Sequence, residues 1–163
     1  MKKIGVLSDT HGFIPKQVYE FFAGCDEIWH AGDIGSAAVL EELRKFKPVV
    51  AVWGNMDSQV MRYEVPQTQL FSCEGAKVLM THIGGYPSHY ERNMIPVIES
   101  EKPQIFISGH SHILRVMYDK KYNLLHINPG AAGKQGFHIK STLVRFDIKN
   151  GTPENLEINE FPK

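Results

Sequence analysis

Cysteine is nearly absent: Cys25 and Cys73 are the only two, and they form no C-x-x-C pair. That excludes a disulfide framework and a thiolate zinc site, and it suits a reducing compartment. Net charge is missing too, eighteen Lys and Arg being matched by eighteen Asp and Glu. There is no global basic field to hold nucleic acid or an anionic lipid surface, so any anion must be captured locally. No apolar run is long enough to span a bilayer. After Met1-Lys2-Lys3, Ser8 and Asp9 close a run shorter than the apolar core of a secretory signal. The expectation is a cytoplasmic protein without membrane contact. Low-complexity tracts, internal repeats and linkers are also lacking, which leaves one domain over residues 1–163.

What is present is an α/β pattern. Ile4 to Leu7 reads as a strand, followed by a helix with Pro15 at its first position, Val18, Phe21 and Phe22 on its apolar face and Gly24 as its stop. Glu27 to His30 is a second strand. Ser36 then caps a helix that turns Val39, Leu40, Leu43 and Phe46 to one side. Pro48 to Trp53 completes a β-α-β-α-β beginning, which implies a parallel sheet. Gln69 to Cys73 and Lys77 to Thr81 read as a hairpin around Glu74-Gly75. Ser88 and Glu91 form a capping-box pattern for a helix that Pro96 must kink or restart before Pro103. Strands are expected at Ile105 to Ser108, Arg115 to Tyr118, Leu124 to Ile127, Thr142 to Ile148 and Leu156 to Ile158, the last pair joined by the hairpin dipeptide Asn150-Gly151. Two packed sheets, one mixed-parallel and one largely antiparallel, with helices outside, would bury both kinds of strand. Phe21, Phe22, Phe46 and both tryptophans read as core or near-core.

The chemistry collects just after apolar runs. Asp9 and His11 follow Leu7, Asp33 follows Trp29, Asn55 follows Trp53, His82 follows Met80, and His110 and His112 follow Ile107. Taken singly, D-x-H, G-D and G-N are ordinary turn sequences. Taken together they place metal-ligating side chains at five strand ends, where open α/β sheets bind ligands. The two i, i+2 pairs would point the same way in extended backbone. Two carboxylates, one amide and four imidazoles suit Mn, Fe, Zn, Co or Ni and disfavour an all-oxygen cage. Seven side chains are too many for one ion and enough for two.

On these stretches, Asp9-Thr10-His11, Gly32-Asp33, Gly54-Asn55-Met56-Asp57, Thr81-His82 and Gly109-His110-Ser111-His112, the chain resembles the calcineurin-like metallophosphoesterase superfamily. Its size and Asn128-Pro129-Gly130 turn are similar to the compact bacterial and archaeal phosphodiesterase branch, a relative of the retromer scaffold subunit. The resemblance implies a four-layer α/β/β/α sandwich of two mixed sheets flanked by helices. It implies one metal on Asp9, His11, Asp33 and His112 and another on Asp33, Asn55, His82 and His110, with Asp33 bridging. Two divalent ions, manganese foremost, then give phosphodiester hydrolysis by direct attack of a bridging hydroxide on a small phosphoester. Catalysis falls to Asp33, Asn55, His82 and His110. Met56 stands where the larger superfamily usually has a histidine thought to protonate the leaving group, and a thioether donates no proton; His89, His126 and His138 are substitutes by chemistry alone. His30 reads as packing and Asp57 as a loop-orienting or turn aspartate. The alternative is a protein-binding scaffold with little catalysis, and assembly into a homo-oligomer is compatible with either. A nuclease is disfavoured for want of a basic stripe.

Overall fold

The computed structural model describes residues 1–163. Alternating side chains explain the layers. In β1 (Lys2–Leu7), Ile4 and Val6 face one way and Leu7 the other, and all three are buried. The first set packs with Trp29 of β2 (Glu27–His30) and with Val78, Met80, Ile105 and Ile107 of the second sheet. The second set meets Val18 and Phe22 around α1 (Lys16–Phe21) and Leu40 and Leu43 of α2 (Ala37–Phe46). Ser36 caps α2 by accepting from the Val39 amide.

Sheet order in the first half is β10-β9-β1-β2-β3, with β3 at Val49–Ala51, β9 at Lys140–Lys149 and β10 at Thr152–Pro162. The second sheet, β4-β5-β6-β8-β7, uses Thr68–Cys73, Ala76–Thr81, Ile105–Ile107, Leu124–Pro129 and Leu114–Asp119. Its outer face, Leu79, Phe106 and Leu124, is covered by Met94 and Ile98 of α4 (Ile95–Glu101). The molecule is the expected four-layer α/β/β/α arrangement.

Several local expectations need correction. Each sheet holds two parallel and two antiparallel pairings, so neither is largely antiparallel, and the final hairpin returns to the first sheet beside β1. Ser88 caps nothing: it has φ 72 in a turn closed by His89 N–H donating to Tyr86 O, and α4 starts later, with Pro96 in its first turn. Pro15 precedes α1 in extended conformation rather than opening it. The short helix α3 (Gln59–Glu64), capped by Ser58, is additional; with only Met61 buried it carries no apolar stripe to read. The strand expected at Leu156 to Ile158 runs the length of β9, broken by a bulge between Glu154 and Glu157. Asn150 and Gly151 both take positive φ, as a two-residue hairpin turn of right-handed twist requires. No helix is long and apolar enough to cross a membrane.

Candidate metal centre

The parallel strands β1, β2 and β3 of one sheet and β5 and β6 of the other each release their chain into one of the motif loops. Backbone hydrogen bonds zip these loops together. Asp9 and His11 donate to Gly32 and Asp33 carbonyls, Gly109 to His82, and Gly133 to Asp9.

Asp9 is fully buried, and its Oδ2 accepts from Ser8 Oγ (2.7 Å) and the His110 amide (3.2 Å). Its Oδ1 lies 3.1 Å from His112 Nε2, 3.7 Å from His11 Nε2 and 3.8 Å from His82 Nε2. Asp33 Oδ2 is 3.2 Å from His82 Nε2 and 3.8 Å from His11 Nε2, while its Oδ1 accepts from the Met56 amide. His82 donates through Nδ1 to the Ala31 carbonyl (2.7 Å), which fixes the ring and leaves Nε2 as a lone pair. The buried Nε2 atoms of His11 and His82 have no hydrogen-bond partner. Lone pairs left bare among carboxylates are what a divalent cation would satisfy.

Two overlapping groups present one ligand atom each within 4.8 Å: Asp9, His11 and His112, and Asp9, Asp33 and His82. Asn55 and His110 are brought to the same place, but Asn55 Oδ1 and His110 Nδ1 face each other at 3.1 Å. Asp9 is common to both groups, Asp33 belongs to the second alone, and the His110 ring stands outside them.

The i, i+2 pairs do not converge by extended geometry. Asp9, His11, Asp33, His110 and His112 all have positive φ, between 45° and 72°. Left-handed backbone at a non-glycine residue costs about 1–3 kcal/mol and concentrates at functional sites. Five such residues around one point mark a backbone built for the placement of these side chains. Close packing demands glycine beside them: a Cβ on Gly54 would fall 2.2 Å from Asp33 Oδ1, and one on Gly32, itself at φ 100, 2.6 Å from His82 Nδ1.

Electrostatics agree with a concentrated negative site. Burial pushes the Asp9 carboxyl up, but His112, His82 and Ser8 outweigh it and hold it below its ordinary value. Asp33 is lowered in the same way, burial being overcome by His82, the Met56 amide and His11. Burial pushes the His82 imidazole down, yet the Asp33 and Asp9 carboxylates raise it above its ordinary value.

Some residues that motif reading left vague have definite work. Asp57 accepts from the Ile34, Gly35 and Gly54 amides, clamping the third loop to the second without touching the Asn55 amide. His30 accepts from the Gly32 amide through Nδ1, so its Nε2–H donates to Thr10, whose hydroxyl donates to the Ile34 carbonyl. Burial lowers the His30 pKa to about 4, keeping it neutral for that chain. Arg62 reaches the Asn55 and Asp57 carbonyls and stacks on Trp53. Asn128 donates to Gly109 O and Ser111 Oγ, ordering the last loop. Of the candidate proton donors, His126 is buried and lowered to about 4 by desolvation, His138 packs on His112 with Nε2 against the Gly133 carbonyl, and His89 is exposed and stacked on Tyr86.

Residues 1–151 match the calcineurin-like phosphoesterase superfamily domain. The chain belongs to that superfamily. A probable metallophosphoesterase of Methanothermobacter thermautotrophicus is 34% identical over 135 residues, 78% of this chain and 76% of that protein. Among solved structures, an archaeal phosphodiesterase aligns with TM-score 0.77 at 22% identity over 99% of both chains. Wild-type Vps29 of Entamoeba histolytica, solved as a complex with zinc, aligns with TM-score 0.75 at 15% identity over 98% of both. At such identities the structural likenesses speak to the fold. Membership in the calcineurin-like superfamily implies a divalent metal, and the donor set above is chemically suited to one.

Proposed function

We propose that this calcineurin-like protein is a phosphodiesterase working with two divalent metal ions, manganese foremost. The observation that carries the reading is the pair of buried, unpartnered Nε2 atoms of His11 and His82 facing the Asp9 and Asp33 carboxylates. In this reading Asp9, His11, Asp33 and His112 hold one ion, and Asp33, Asn55, His82 and His110 hold the other, Asp33 serving both. Bound there, the ions would supply Lewis acidity, lowering the pKa of a water and offsetting charge on the phosphoryl oxygens. The protein's own contribution is to fix those donors. Ser8 and the His110 amide lock Asp9, the Met56 amide locks Asp33, and the Ala31 carbonyl orients His82. Asn55 and His110, both exposed at the mouth, meet the incoming phosphoryl group.

Diesters fit better than monoesters because two clefts flank the centre. One, of about 230 Å³, is lined by Trp53, Asn55, His82 and Asn93, and another, of about 280 Å³, by Tyr86, His110, Ser111 and Arg115. A phosphorus carrying two organic substituents can send one to each side. The test is metal analysis of the purified protein with hydrolysis of bis-p-nitrophenyl phosphate in added manganese. Metal uptake with turnover is expected; neither would transfer the assignment to the protein-binding scaffold reading.

Met56 is 62% exposed, and only its backbone engages Asp33. Met56→His therefore places an imidazole at the mouth without disturbing packing. The expected result is that turnover of alkyl diesters rises about a hundredfold, the low end of general-acid contributions, while aryl diesters with stable leaving groups gain little. Equal effects on both, in a comparison of kcat, would remove the missing-acid argument.

A further inference from the structure

The cleft beside His110 contains a cation without a counter-charge. Arg115 is half-buried, makes no ion pair and no side-chain hydrogen bond, and is held only by stacking, its guanidinium carbon 3.8 Å from the Tyr86 ring centroid. Tyr86 is in turn stacked on His89 at 4.8 Å. Arg115 projects from β7, its backbone paired with Asn128, the residue that orders the 109–112 loop. Stacking fixes the guanidinium plane and leaves its N–H edge free, a geometry suited to an oxyanion. Glu91 is the one carboxylate in the lining, exposed, shared with the opposite cleft and not paired with Arg115. Buried His126 also lines the cleft, its Nδ1 donating to the Phe106 carbonyl and its Nε2 without a partner. A positive charge set on a strand next to the candidate metal centre thus packs on Tyr86 while its donors take no part in the fold's hydrogen bonding.

We infer that Arg115 forms a specificity subsite for a second anionic group, a phosphate carried on one organic arm of the substrate. The inference rests on the phosphodiesterase reading above. It narrows the substrate class from diesters in general to diesters of already phosphorylated alcohols.

The matched probes are the p-nitrophenyl ester of thymidine 5′-phosphate and the same compound phosphorylated on the 3′ oxygen. Manganese-loaded wild-type protein is expected to favour the second in kcat/KM by on the order of ten- to a hundredfold, mostly through KM, the range for hydrogen bonds to a charged group. R115M should bring that ratio to roughly one, and R115K should keep part of it, since a point charge remains without the fork. A wild-type ratio near unity, or an undiminished ratio in R115M, overturns the subsite. Should wild-type protein hydrolyse neither ester, the phosphodiesterase reading fails separately, and calorimetry decides the subsite. Tighter binding of thymidine 3′,5′-bisphosphate than of thymidine 5′-phosphate, lost in R115M, upholds it, and equal binding overturns it. Inorganic phosphate titrated alone distinguishes capture of a free anion: binding of phosphate that R115M abolishes, with no preference between the nucleotides, also overturns the substrate-arm assignment.

Discussion

Asp33→Asn should lower phosphodiester hydrolysis by at least about a thousandfold, equivalent to about 4 kcal/mol of lost transition-state stabilisation. The substitution keeps the shape of the side chain and leaves an oxygen for the Met56 amide. What it removes is one of only two carboxylates in the cluster, each of which faces both His11 and His82. With two divalent ions expected, four positive charges would then face a single negative one. Metal content measured by mass spectrometry should fall from about two ions per chain to one or fewer. Far-ultraviolet circular dichroism should be unaltered, because Asp33 lies in a loop outside the sheet hydrogen bonding. Undiminished turnover in a properly folded Asp33→Asn protein would contradict the assignment of a shared carboxylate.

Acid should begin to destabilise the protein well before its carboxylates titrate. His30 and His126 are buried and neutral, desolvation bringing both to about 4 from an ordinary value of 6.5. Between those values the unfolded chain binds a proton at each imidazole and the folded chain does not. The contribution of this pair is therefore complete above pH 6.5, falls as pH drops, and levels off near pH 4. The slope is about 1.4 kcal/mol per pH unit per histidine, or about 3 for the pair. His138, also lowered by burial, adds to the fall just below pH 6.5, and the remaining shifted groups act elsewhere. Asp9 and Asp33 are lowered, so their contribution disappears only below the ordinary carboxylate range, and His82 is raised, so its contribution disappears above pH 6.5. Urea midpoints taken from pH 7 to 4 in chelator should show this slope, and His30→Gln or His126→Gln should each remove about half of it. A slope indifferent to both substitutions would mean the two rings are hydrated in the folded protein.

Much of this architecture could be read from residue order because local and global preferences coincide. Ser36 caps where the apolar stripe of α2 begins, and Asn150-Gly151 turns where two alternating runs meet. Failures occurred where the signal was short or shared. Ser88 and Glu91 satisfy a spacing, yet the Tyr86–His89 turn claims the backbone first. Six residues of α3 bury one side chain, too few for a period. The strand-end residues were legible because each motif follows an apolar run. Their mode of convergence was not, since left-handed φ at Asp9, His11, Asp33, His110 and His112 leaves no compositional trace when the residue is not glycine. Supporting contacts were equally hidden. The Asp57 clamp and the stacking of Arg115 on Tyr86 join residues 22 to 29 positions apart, a relation that no local pattern carries.

The placement of β9 has a consequence during synthesis. β1 is the middle strand of its sheet and needs β9 as one neighbour, and the Asp9 loop rests on the amides of Ala132 and Gly133. At ribosomal speeds of roughly 5–20 residues per second, the first strand emerges on the order of ten seconds before the segment that completes it. Until then one edge of β1 lies bare and the nascent polypeptide cannot assemble its cation-binding loops. Ribosome-bound chains halted before Lys140 should therefore be chaperone clients, and metal acquisition belongs to the released or nearly released protein.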